Sequence, residues 1–84
     1  MTDTPILITP TFTVAQAIAT KHALEYRTTA LEAKLADLPG MAESIGDDLR
    51  NNLTALLSLL VAMGYSPEKM PRRAVAARLK ELDA

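Results

Sequence analysis

Apolar and polar positions follow a helical period along most of this chain, and the most apolar stretch lies past its middle. The run from Leu53 to Met63 has only Thr54 and Ser58 as polar residues, and Gly64 closes it. The run is too short for a membrane span, which takes roughly 20 apolar residues. The pattern therefore predicts a helix that other protein covers on most of its sides.

The first predicted helix covers residues 13–38. Thr13 and Gln16 have the spacing of a capping box, in which hydroxyl and amide each satisfy a backbone N–H. Pro39 and Gly40 are expected to end the helix. One of its two apolar faces consists mainly of small residues, which let another helix approach closely. That face holds Ala15, Ile18, Ala19, Ala23, Tyr26, Ala30 and Ala33.

The second predicted helix covers residues 41–64 and carries a wide apolar face. Because one small chain has little to cover this face, we expect it to form the interface of a homodimer. Asn52 is expected either to fix the register between paired helices or to lie at the wet edge of the interface. The expected interface residues are Leu49, Leu53, Leu56, Leu57, Leu60 and Met63.

A short third helix is expected within residues 66–82. Ser66 and Pro67 suit a helix start, but the ring of Pro71 disturbs any helix that runs through it. We therefore expect one turn at 67–70, followed by a helix from Pro71 to about residue 82.

Residues 1–12 are predicted to form an extended arm. Their two prolines and several β-branched residues disfavour a helix. Ile6, Leu7 and Ile8 are unusually apolar for a free terminus. The sequence leaves two alternatives open: the arm docks on the bundle or on a second subunit, or it is a frayed end.

The length of 84 residues allows one domain. A chain of this size buries only about 60% of the surface that its unfolded state exposes, and oligomerisation is a common remedy for the resulting marginal stability. The expected fold class is an all-α small helical bundle: a long helical hairpin, a short third helix and an extended N-terminal arm, assembled as a dimer.

Charge is distributed unevenly along the chain. Residues 1–48 hold three basic and seven acidic groups, a net charge of −4, whereas residues 49–84 hold six basic and three acidic groups, a net charge of +3. Such asymmetry favours antiparallel pairing of chains, or separate acidic and basic binding faces. The basic groups of the third helix are the expected partner-binding residues. They are Lys69, Arg72, Arg73, Arg78 and Lys80.

The expected function is a non-enzymatic protein–protein interaction module of the adaptor, chaperone or inhibitor type. The alternative is a dimeric DNA-binding regulator, because a helix, a glycine turn and a basic helix follow one another as in a helix-turn-helix. Against DNA, Pro71 would interrupt the recognition helix, and the chain is slightly acidic overall. Aromatic residues that stack on bases are also scarce.

No arrangement of residues predicts catalysis or a metal site. His22, the only histidine, lies three residues before Glu25, but a metal ion needs three or four ligands in one place. A surface histidine beside Glu25 is the expected arrangement. Neither a nucleophile elbow nor a glycine-rich phosphate loop is present. We therefore expect no catalytic residues, no metal and no cofactor. Because the first residues lack the pattern of a signal peptide, we expect the cytoplasm as compartment.

Overall fold

Three α-helices account for most of the chain that the structure describes. The computed structural model describes residues 6 and 8–84. Helix α1 spans Val14–Asp37, a short 3-10 turn spans Pro39–Met41, α2 spans Ala42–Ala62, and α3 spans Arg72–Leu82. No strand occurs in these described residues. The prediction of an all-α small helical bundle is confirmed.

The capping box predicted at the start of α1 is present. The Thr13 hydroxyl accepts a hydrogen bond from the Gln16 N–H at 3.1 Å, and the Gln16 side-chain oxygen accepts one from the Thr13 N–H at 2.9 Å. These two bonds satisfy N–H groups that the first turn leaves without a helical acceptor. The Leu38 N–H donates to the Lys34 carbonyl, and Pro39 then turns the chain towards α2.

The core lies where α1 and α3 pack against two sides of α2. Four leucines of α2 are its centre, since each is only 0–2% exposed. The buried apolar residues are Leu31, Ile45, Leu49, Leu53, Leu56, Leu60 and Val75. Partly buried residues that extend this core are Leu24, Leu35, Leu57, Tyr65, Leu79 and Leu82.

Asn52 is the one buried polar side chain among the described residues, at 7% exposure. Its amide nitrogen donates to the Leu24 carbonyl at 2.9 Å and to the Thr28 hydroxyl oxygen at 2.8 Å. A buried amide is costly unless it finds such partners, so these bonds favour one register of α1 against α2. Asn52 thus joins two helices of the same chain.

Residues 63–71 connect α2 to α3. Gly64 has a positive φ of 87°, a conformation that other residues rarely adopt, and the Tyr65 N–H donates to the Leu60 carbonyl at 3.0 Å. The Lys69 N–H then donates to the Ser66 carbonyl at 3.1 Å in the turn that precedes α3. Pro71, after a cis peptide bond, stands before the helix and does not interrupt it.

Helix α3 runs antiparallel to α2. At its start, Arg72 Nη1 donates to the carbonyl of Tyr65, just beyond the end of α2, at 2.7 Å. At its end, Arg50 Nη2 of α2 donates to the carbonyl of Leu82 at 3.3 Å. In the part of the chain that the structure describes, no helix combines the length and apolar character that crossing a bilayer requires.

The described part of the arm has no regular structure. Ile6 and Ile8 are 91% and 83% exposed, so neither side chain is docked on the bundle, whereas Phe12 is 42% exposed. Leu7 and residues 1–5, also assigned to the arm from the sequence, lie outside the described residues.

Candidate protein-interaction surface

Three of the five expected partner-binding residues are exposed on α3 or in the turn before it. Arg73 and Lys80 are seven residues apart on α3, about two helical turns, so they lie on one face. Lys69 lies before the helix, ahead of the cis bond between Met70 and Pro71, and its carbonyl accepts a hydrogen bond from the Arg73 N–H at 2.9 Å. None of the three side chains has an ion pair or a hydrogen bond within the described residues. We name these three residues the basic stripe.

Arg78 lies on a different side of α3 and is occupied by the chain itself. Its Nε and Nη2 donate to the two carboxylate oxygens of Glu32 on α1, at 2.7 and 2.8 Å. Paired N–H···O bonds of this kind are among the stronger side-chain interactions in proteins. The hydrogen bond to Glu32 raises the pKa of Arg78 further above its usual range, with burial acting in the opposite direction. Arg78 therefore links α3 to α1.

Arg72 is likewise occupied, because it bonds the carbonyl of Tyr65. The sequence could have shown that both arginines face the bundle. Arg72 and Arg78 are each three residues from Val75, the buried anchor of α3, so both belong to the side that faces the bundle. Arg73 and Lys80 lie on the opposite side of α3, and all three residues of the basic stripe are exposed.

The residues expected at a dimer interface lie mostly inside one chain. Leu49, Leu53, Leu56 and Leu60 are covered by α1 and α3, and Leu57 and Met63 are half-buried. The pattern of α2 underestimated this cover because it carries no information on how α3 docks. A second copy would reach the four buried leucines only if α1 or α3 moved away.

An acidic cluster lies where α2 begins and α3 ends. Arg50 Nη1 and Nε contact the carboxylates of Asp47 and Asp83 at 2.9 and 3.0 Å. One guanidinium thus serves two carboxylates, whose side chains are 64% and 65% exposed. Glu43, also exposed, lies one turn before Asp47. The helical pattern of the sequence does not bring Asp47 and Asp83 together, because they are 36 residues apart.

An apolar groove of about 580 Å³ lies between the arm, α1 and α2. Phe12 of the arm, Leu24 of α1, and Leu59 and Ala62 of α2 contribute to its walls. No charged side chain is among the residues that line it. The groove therefore offers shape and apolar contact but no group for acid–base chemistry.

His22 is exposed, and Glu25 pairs with Lys21, whose Nζ lies 3.0 Å from its carboxylate. The described residues contain no group of three or more metal-ligating side chains. Comparison of the chain with family models, curated proteins and solved structures found no match.

Proposed function

We propose that this chain is a non-enzymatic protein–protein interaction module whose basic stripe binds an acidic surface of another protein. The observation that carries the proposal is that the basic residues of α3 and of the turn before it fall into two groups. Two arginines, Arg72 and Arg78, are bound within the chain, whereas Lys69, Arg73 and Lys80 face solvent with no partner among the described residues. Adaptors, chaperones and inhibitors are the classes of protein that fit such a module.

The surface between the cations of the basic stripe leaves space for a partner to approach. Ala76 and Ala77 are exposed between Arg73 and Lys80, and their short side chains leave the helix surface low at that point. An acidic helix or loop can therefore approach closely, with cations at both ends of the contact. Arg73 adds a planar guanidinium that can hold a carboxylate through two hydrogen bonds.

Duplex DNA is the alternative that the sequence left open, and it would use the same stripe. The connection of nine residues, 63–71, is longer than the turn of about three or four residues in a helix-turn-helix. This length favours protein as the partner. We also retain the homodimer and the cytoplasm as parts of the proposal.

Binding measurements with two probes test the proposal. A labelled Glu-rich helical peptide and a labelled DNA duplex are titrated with the protein at about 50 and 200 mM salt. We expect the peptide to bind and the triple variant Lys69→Glu, Arg73→Glu, Lys80→Glu to lose that binding. The matched control is Arg27→Glu with Lys34→Glu, two exposed cations of α1, which should leave peptide binding nearly unchanged.

The two outcomes against the proposal are distinct. Tight, steeply salt-dependent binding of the duplex, lost in the triple variant, would establish the DNA alternative. Equal peptide binding by wild type, triple variant and control would show that the basic stripe has no binding role.

A further inference from the structure

The outer side of α2 that faces away from α1 carries a strip of residues at regular helical spacing. Glu43, Asp47, Arg50, Thr54 and Val61 follow one another at intervals of four, three, four and seven residues, which places them on one face. Val61 is 48% exposed, and Glu43, Asp47 and Thr54 are exposed as well. Arg50 is the exception, because its side chain contacts Asp83 and the Leu82 carbonyl at the end of α3.

Helix α3 borders the strip and makes it electrically polar. Asp83, at the end of α3, joins Asp47 on Arg50, so the end of the strip near Glu43 is acidic. The start of α3, with Lys69 just before it and Arg73 in its first turn, lies at the opposite end, because Arg72 bonds the carbonyl of Tyr65 just beyond α2. The distance along α2 from Glu43 to Val61 is about 27 Å at 1.5 Å per residue.

We infer that this face binds a second copy of the chain in an antiparallel, two-fold arrangement. A two-fold axis across the middle of the strip places the acidic end of each copy on the basic end of the other, so one contact forms twice. Charge complementarity identifies the occupant as a second copy, because the face carries acidic groups at one end and basic groups at the other. This inference rests on the proposed function, because it identifies a copy of the chain as an acidic partner of the basic stripe.

Apolar side chains supplement the charges. Val61 lies at the basic end of the strip, and the half-buried Leu57 lies one turn before it. Exposed ion pairs are individually weak and are screened by salt. The assembly should therefore be concentration-dependent and should weaken as the salt concentration rises.

Lys80 distinguishes a second copy from any other acidic partner. It lies two residues before Leu82, whose carbonyl contacts Arg50, and is therefore near the middle of the face. In the two-fold arrangement the two Lys80 side chains approach one another and repel. Lys80→Ala should strengthen self-association, whereas it should weaken binding of a Glu-rich peptide.

The test is a charge exchange followed by sedimentation equilibrium at low salt. The basic variant is Lys69→Glu with Arg73→Glu, and the acidic variant is Glu43→Lys with Asp47→Lys. Each variant alone should self-associate with an affinity at least about tenfold lower than that of wild type. An equimolar mixture of the two should form a heterodimer, because the reversed ends of one are complementary to the reversed ends of the other.

Helical content by circular dichroism shows that each variant is folded, and recovery on mixing confirms it independently. A wild type that sediments as a monomer at all concentrations, or variants that fail to recover on mixing, would overturn the two-fold interface. The acidic variant should keep its affinity for the Glu-rich peptide. Failure of the dimer with peptide binding intact therefore leaves the proposed function standing, and loss of both rejects both.

Discussion

Arg78 and Glu32, 46 residues apart in sequence, form a two-pronged ion pair that joins α3 to α1. The guanidinium also approaches Glu81 at 3.5 Å, on its own helix. The side chains of Arg78 and Glu32 are 33% and 35% exposed, which places the pair between a surface contact and a buried one. Helix α3 packs mainly on α2, so this pair is its principal link to the first helix.

We expect Arg78→Ala to lower the free energy of unfolding by about 1 kcal/mol, with solvent screening included. Glu32→Ala should cost a similar amount, and the double variant should cost less than the sum of the two, because the shared interaction is lost only once. Urea unfolding of the four proteins measures this coupling. Lys34→Ala, at an exposed cation of α1, is the matched control. A coupling energy of zero would show that the pair contributes nothing to the docking of α3.

Asn52 provides a test of the interface between α1 and α2. Asn52→Asp replaces an amide that donates to the Leu24 carbonyl by a carboxylate that only accepts, so a buried charge faces an oxygen. We expect a loss of about 3 kcal/mol at neutral pH. Asn51→Asp, at the exposed neighbouring position, should change stability by less than about 0.5 kcal/mol.

The cost of Asn52→Asp should depend on pH with a definite sign. Burial raises the pKa of the introduced carboxyl in the folded state, so the folded state takes up its proton at a higher pH than the unfolded state does. The penalty is therefore full at neutral pH and shrinks as the pH falls through that raised pKa. Thermal unfolding between pH 7 and roughly pH 4 measures the difference from wild type. A penalty that is constant over this range would contradict the burial of the site.

Glu68 is a second group whose titration the structure addresses. A hydrogen bond from the Ser66 hydroxyl lowers the pKa of this exposed carboxylate, with its own backbone N–H and Arg72 as smaller contributions. Ser66→Ala should raise the pKa of Glu68 towards its ordinary value. Carboxyl chemical shifts followed by NMR as a function of pH measure this directly.

The sign of the Glu68 effect on stability follows from the lowered pKa. The hydrogen bond stabilises the turn before α3 at pH values above the ordinary pKa of glutamate, and this contribution is lost as the pH falls through the lowered value. Ser66→Ala should therefore differ most from wild type at neutral pH and least in acid.

The local features of the fold were readable from the sequence. Thr13 and Gln16 predict the start of α1, and Pro39 predicts its end. Both predictions succeed because capping and proline geometry depend on neighbouring residues only. The internal use of Arg72 and Arg78 follows from their distance to Val75 once α3 is placed. Which side of α2 remains uncovered depends on the docking of α3, which no local pattern encodes.

The same distinction explains why the leucines of α2 suggested a dimer. A helix with apolar residues over most of its circumference needs cover, but the sequence does not say whether that cover comes from the same chain. Leu31 of α1 and Val75 of α3 provide it within one chain. Such packing joins residues far apart in sequence, and a helical period measured along one helix does not report it.

Variants at Leu60 and Val61 distinguish burial of α2 within one chain from its burial by a second copy. Leu60 is 0% exposed in the single chain, whereas Val61 is 48% exposed on the outer side of α2. We expect Leu60→Ala to lower the free energy of unfolding by about 2–5 kcal/mol. This loss should be the same at all protein concentrations, because both the contact and its loss are intramolecular.

Val61→Ala should change the stability of the monomer by about 0.5 kcal/mol or less and should act instead on self-association. Thermal melts over a wide range of protein concentration measure both effects. If the cost of Leu60→Ala grew with protein concentration, that leucine would be contacting a second chain, and α2 would be the dimer core that its pattern first suggested.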